Sequence, residues 1–363
     1  VRCFVFSCNS DFTTAQLEKA EGIIDENPEE ALKIIEDIDT ITESHGSAKA
    51  IYNLLLTQAI VKSNRELPPD SLIAFSADYF LNTGDKPRAM KSLYYLGVLT
   101  FRGGNYPRSI DVSLKSLNLA KESEETFWAA LSSRNLADIF SETYGGTEQL
   151  KYARESLNDF KRANKHAFTN YALLDYARAL HNNGMYSEAL PVIIETVDSA
   201  EVHNDGALKL SASRLMGMAY LGLERYDKAV EYFEPICESY GANRVDSCYL
   251  GEAYSGLGRH EKAKSMLMQL GAPDDLHTWT LNFTYNKSIG NYGEAMIALE
   301  KSDSIINDVF RSLLTLTLRL TCRQYAKKTE NYSYSPYLAF RHLRSHCFLG
   351  RKAQIMSITE SVI

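Results

Sequence analysis

Two stretches decide the reading: Leu215–Ile236, LMGMAYLGLERYDKAVEYFEPI, and Tyr249–Leu270, YLGEAYSGLGRHEKAKSMLMQL. Gly217 and Gly251, Tyr220 and Tyr254, and Ala229 and Ala263 all stand 34 positions apart. Within each stretch a small residue is followed by an aromatic three positions later and an Ala twelve positions later. That spacing predicts two helices joined by a tight turn, Gly222–Arg225 in one unit and Gly256–Arg259 in the other. Glycine supplies the backbone freedom such a reversal needs. Upstream, Gly97 and Ser109, like Ala177 and Ala189, keep the twelve-position step, with Tyr106 and Tyr186 nine positions after the small residue. Gly97, Ala137, Ala177 and Gly217 follow one another at intervals of 40, which predicts extended linkers between units. The unit at Ala137 is expected to hold about four extra residues, within SETYGGTEQL, before its second helix resumes at Ala153.

A single helical pair cannot bury its own apolar face, so such units must stack. The small residues mark where two helices approach closely: Gly217 is expected to face Ala229, and Tyr220 and Tyr254 to fill the seam toward the neighbouring pair. This pattern resembles the tetratricopeptide repeat, carried by Gly217, Tyr220, Ala229 and Phe233 in one unit and by Gly251, Tyr254, Ala263 and Leu267 in the next. The resemblance extends over residues 13–306 and implies an all-α, right-handed α-α superhelix of about eight helical hairpins. These hairpins are expected at 13–42, 48–82, 87–121, 126–163, 168–200, 206–239, 243–270 and 276–306. Asn27-Pro28-Glu29-Glu30 is expected to open the second helix of the first, since proline is tolerated in a first turn. A capping helix over 307–328 and a basic, irregular tail over 329–363 would follow.

Composition sets the outer bounds. Hydrophobic residues are 45% and charged residues 23% of 363, with 9 Pro and 20 Gly, which excludes both disorder and a collagen-like chain. Residues 1–310 carry 30 Lys and Arg against 44 Asp and Glu, whereas residues 311–363 carry 9 against 2. An acidic body argues against a general nucleic-acid binder. Six cysteines in a chain of this length are too few for a disulfide scaffold. Cys237 and Cys248 fall on consecutive helices and read either as a bridge or as ordinary buried thiols.

The chain ends read differently from the body. Val5-Phe6-Ser7-Cys8 resembles a bacterial lipoprotein cleavage box, so residues 1–12 read as a lipobox-like start and tether with lipidation at Cys8. That implies a periplasmic or outer-membrane-associated lipoprotein. No run of 18 apolar residues occurs to span a bilayer. LEKSDSIINDVFRSLLT resembles a stretch in envelope-associated tetratricopeptide proteins of the Bacteroidetes type, in which a long helix, a membrane span and sometimes a regulatory DNA-binding domain follow the repeats. Here the pattern dissolves after about Thr315, which reads either as a divergent extension or as a shifted frame.

No GxSxG, Walker-type loop or HExxH occurs, and the sequence reads as no enzyme, with no cofactor or metal. His342, His346 and Cys347 have ligand-like spacing in an unpatterned tail, where chance accounts for it. The reading is therefore of a surface. In the family, first helices line a groove, and the residues beside the small positions are Tyr94, Arg102, Arg134, Asp138, Tyr171, Arg178, Arg214, Glu252 and Lys287. Arg134, Arg178 and Arg214 recur in consecutive hairpins and would suit carboxylates or a row of peptide carbonyls. The plainer alternative pairs them with Asp138 and Glu252. The leading function is a non-catalytic protein- or peptide-binding scaffold at the cell envelope, including the sensory part of a truncated regulator. The alternative is a glycan-binding outer-membrane lipoprotein of a nutrient-uptake system. Nothing in the sequence sets an oligomeric state.

Overall fold

The computed structural model describes residues 2–38, 46–143, 145–239 and 243–305, with side chains from Thr13 onward. Every element among them is helical. They run α1 Arg2–Ile23, α2 Pro28–Glu36, α3 Ser47–Lys62, α4 Asp70–Thr83, α5 Lys86–Arg102, α6 Tyr106–Glu122, α7 Thr126–Glu142 and α8 Gly146–Arg162. Next come α9 His166–Asn182, α10 Tyr186–Val202, α11 Gly206–Gly222, α12 Tyr226–Ser239, α13 Arg244–Gly256, α14 His260–Leu270 and α15 Leu276–Ser288, with a further helix, α16, over 292–305. The result is an all-α solenoid of stacked hairpins of the tetratricopeptide type. The expected capping helix, the basic tail and the break after Thr315 lie outside the described residues.

The 40-residue interval has a different origin from the one expected. From α5 to α11 every helix is 17 residues long. The connections stay at three residues, so the extra length lies in the helices and no linker is extended. The turns share a left-handed residue: Asn64, Gly84, Gly104, Glu124, Asn164, Gly184, Asn204 and Glu224 all have positive φ, at intervals of 20 or 40. One such residue per turn reverses the chain at the same point each time. The expected insertion near Ala137 is also absent, because α8 begins at Gly146 in step with its neighbours. The position equivalent to Ser109, Ala189 and Ala229 is then Gln149, 5% exposed, and not Ala153. Gln149 is tolerated there because its Oε1 accepts a hydrogen bond from Asn182 Nδ2 at 3.2 Å.

Caps close the helices where the sequence provides them. Asn27 Oδ1 accepts from the Glu30 amide at 3.3 Å, with Pro28 in the first turn of α2. Asp275 and Thr278 form a reciprocal capping box at the start of α15. At the other end of the chain, the Asn9–Phe12 stretch expected as a tether belongs to α1.

The chain forms two compact units. Unit 1 comprises the described residues within 2–142 and 151–165, and unit 2 those within 143–150 and 166–305, so α8 is divided between them. In unit 1 one cluster packs Leu17, Ile24, Ile35 and Leu55, and a second packs Leu54, Ile73, Phe80, Leu93 and Leu96. In unit 2 Leu174, Ile193, Leu208 and Met216 form one core and Val230, Phe233, Leu250 and Tyr254 another. Ala137, Ala177, Ala229 and Ala263 are buried at 4% exposure or less, as close helix approach requires.

The side chain nearest to Gly217 is Phe233, one turn beyond Ala229 on the facing helix. A Cβ at Gly217 would lie 2.6 Å from Phe233 Cε2, so the space the glycine leaves holds that fully buried ring. Gly251 makes room for Leu281 of the following hairpin, whose Cδ atoms would lie 2.8 Å from an added Cβ. At Gly97, Ser109 Oγ donates to the glycine carbonyl at 2.7 Å. Tyr220 stacks on Tyr232 of its own hairpin at 5.8 Å, while the Tyr254 hydroxyl donates to Glu234 of the preceding one. The aromatic at this position thus seals either seam.

Candidate groove on the first helices

Within unit 2 the first helices of successive hairpins, α9, α11, α13 and α15, pack side by side, and a cavity opens between α11 and α13. It is about 440 Å³ and is lined by Arg214 and Met218 of α11, Asn243 at the mouth, and Arg244, Val245, Asp246 and Tyr249 of α13. Residues 246, 249 and 252 fall on one stripe of α13 by helical spacing, which carries that face on to Glu252.

Arg214 is not a free cation in this groove. Its Nε and Nη2 donate to the Asp246 carboxylate over 2.8–3.0 Å, a side-on pair across two repeats. Asp246 is almost fully buried and also accepts from Asn243 Nδ2 at 2.7 Å. The pair fixes α11 against α13 and presents an apolar wall beyond it, from Met218 and Tyr249. Tyr249 is held by rings on both sides, Phe233 stacked at 5.5 Å and His277 edge-on at 5.4 Å. Burial raises its hydroxyl well above the ordinary phenol value, so it stays neutral.

Glu252 differs from every other acid of this face. It is partly exposed, and among the described residues neither a hydrogen bond nor an ion pair holds it. Burial alone pushes its carboxyl up to about 8. The plainer expectation, that Glu252 neutralises a groove arginine, is therefore corrected: Arg214 has taken Asp246 instead.

The remaining sequence candidates are placed as follows. Arg178 donates to Asp175 at 2.9 Å one turn back on α9 and is largely exposed. The Tyr171 hydroxyl donates to Asp205 at 2.8 Å, the N-cap of α11, and the amide of Leu208 holds that carboxyl below its usual range. Lys287 lies over the Phe283 ring at 5.9 Å. In unit 1, Tyr94 has its hydroxyl raised to about 12 by burial, with Arg134, Asp138 and Arg102 near enough to act on it. These four residues are brought together in unit 1. Tyr94 also meets Trp128 edge-on at 5.6 Å, and Lys91 caps that indole at 5.6 Å.

Sequence reasoning missed Asp246, Met218 and Tyr249. One signal was present: Met218 and Glu252 stand 34 apart, each directly after the small residue of its helix. Cys237 and Cys248 are both free thiols, and burial raises Cys248 to about 12. Among the described residues no group of three or more His, Cys, Asp and Glu could hold a metal ion.

Residues 215–239 and 248–270 match the family model of the tetratricopeptide repeat, so the hairpins α11–α12 and α13–α14 are repeats of that kind. No curated protein matches the chain. Among solved structures it is similar to a Rap protein complexed with competence and sporulation factor, at 14% identity over 88% of this chain and 100% of that one, with a TM-score of 0.55. It is also similar to NprR in complex with its cognate peptide NprX, at 15% identity over 85% and 93% of the two chains, with a TM-score of 0.54. The apo form of the quorum sensor NprR from B. thuringiensis aligns at 15% identity over 85% and 99%, with a TM-score of 0.56. At these identities the likeness is one of fold.

The periplasmic or outer-membrane lipoprotein location is corrected on these findings. The solved structures named above are a Rap protein complexed with competence and sporulation factor and the quorum sensor NprR with and without its cognate peptide, and a single helix runs through the Cys8 position. No described helix is long and apolar enough to cross a membrane.

Proposed function

We propose that this protein is a non-catalytic peptide-binding scaffold whose binding surface is the face of α9, α11, α13 and α15 in unit 2. The observation that carries this reading is the 440 Å³ cavity between two consecutive tetratricopeptide repeats, walled by Met218 and Tyr249 and braced by the Arg214–Asp246 pair. An apolar recess with a few fixed polar groups suits one side chain of an extended or helical segment. One NprR structure named above was solved with its cognate peptide NprX and the Rap protein with competence and sporulation factor, which agrees with that use of the fold. Arg178 on α9 would meet acidic groups or carbonyls of the same segment, and Tyr94, Arg102, Arg134 and Asp138 form a second candidate surface in unit 1.

Selection from a random heptapeptide library on the full chain tests the reading. Peptides sharing an apolar position should be enriched, and enrichment should disappear on a folded Met218→Glu, Tyr249→Ala variant. Equal enrichment on the variant would remove this cavity from the function.

A further inference from the structure

Glu252 is the one acid on the α13 face of this groove that nothing in the described structure engages. Asp246, one turn and a half back, is consumed by Arg214 and Asn243. Asp275 on α15 is consumed by Arg244 and by the amide of Thr278. The groups close enough to feel Glu252 are Cys248 and Tyr249 on its own helix and Tyr226 from α12. All three are pushed upward by burial and are neutral at neutral pH, and among the described residues no cation pairs with this carboxyl.

We propose that Glu252 is a specificity-determining subsite that receives a cationic group of the bound peptide, an ammonium or guanidinium, beside the apolar recess of Met218 and Tyr249. The proposal rests on the peptide-binding reading above and adds the chemistry of the ligand. A partly desolvated carboxylate without a partner is costly, and a carboxyl in that state keeps its proton. A cation arriving at hydrogen-bond distance reverses the balance: the proton leaves to solvent, and the ion pair forms in surroundings of low polarity where it is worth more than on an open surface. Met218, at the equivalent position one repeat earlier, carries no charge. The groove therefore reads an apolar group next to a basic one.

The test uses the full chain and two heptapeptide libraries, one N-acetylated and C-amidated, the other with free amino termini. The proposal expects Lys or Arg to be enriched at a fixed offset from the apolar position in the acetylated library. Enrichment confined to the free-amine library would assign the cation to the peptide's amino terminus. In either case the preference should vanish on E252Q. For the best acetylated peptide, Lys→norleucine and E252Q should each weaken binding by roughly tenfold or more, and both together should be no worse than one. Titration calorimetry at pH 7 in phosphate and in Tris should show close to one proton released on binding by the wild type, a readout that stands even if E252Q fails to fold. A cationic preference that survives E252Q, or binding without proton release, overturns the subsite while leaving the peptide reading intact. Apolar peptides enriched with no basic position do the same. No enrichment of any peptide overturns both.

Discussion

Removing the Arg214 guanidinium is the perturbation whose cost the structure defines most fully. In Arg214→Ala the Asp246 carboxylate, whose side chain is 4% exposed, keeps only Asn243 and its own helix N-terminus as partners. Breaking a buried ion pair by deleting one member costs about 3–5 kcal/mol, because the other charge is left uncompensated. Arg214 itself is 33% exposed, so water reaches the vacated space and part of that cost is recovered. The expected loss is about 2–3 kcal/mol, equivalent to roughly 4–12 °C for a unit of this size. Urea unfolding reports it through Trp279, which lies in unit 2, once Trp128, the other tryptophan, has been changed to Phe. The Arg214→Ala, Asp246→Ala double variant should cost less than the sum of the single changes by at least about 1.5 kcal/mol. A loss below about 0.5 kcal/mol for Arg214→Ala would refute the reasoning and return Arg214 to the class of ordinary surface arginines.

Gly217→Ala gains about 1 kcal/mol of helix propensity but drives a methyl into the immobile Phe233 ring, so thermal melting should show a net loss of about 1 kcal/mol, restored by adding Phe233→Leu. The Glu252 carboxyl is raised from 4.5 to about 8 in the folded protein, so the native state binds the extra proton between those limits and stability falls as pH rises through them. Urea midpoints should accordingly show Glu252→Gln matching the wild type near pH 4 and exceeding it above pH 8. Asp275→Ala removes a capping box and an Arg244 contact at the start of α15, and should lower the unit 2 midpoint by about 1–2 kcal/mol.

The sequence carried the fold further than the site, for a physical reason visible in single residues. Small residues where helices touch are demanded by backbone distance, so Gly97, Ala177, Gly217 and Gly251 announced the repeat. The same signal misled where a polar residue met the demand by bonding: Gln149 took the small position and hid the true register of α8. Likewise the 40-residue interval suggested long linkers, although lengthening the helices satisfies it equally well. Arg214 was legible as a groove residue. Its partner Asp246 was not, because the pair spans two repeats and exists only once they stack. Glu252 was legible as a groove residue as well, but that no described neighbour pairs with it shows only in the fold. A sequence shows charges and spacings but not which of them are already spent on the fold.

A peptide seated on the first helices of unit 2 should shield their backbone from solvent. Hydrogen–deuterium exchange of the full chain, with and without the best selected heptapeptide, tests it most directly. Exchange should slow in α11 around Arg214–Met218 and in α13 around Asp246–Glu252, with α5 and α7 unchanged. Protection confined to helices of unit 1, or none at a saturating peptide concentration, would contradict it.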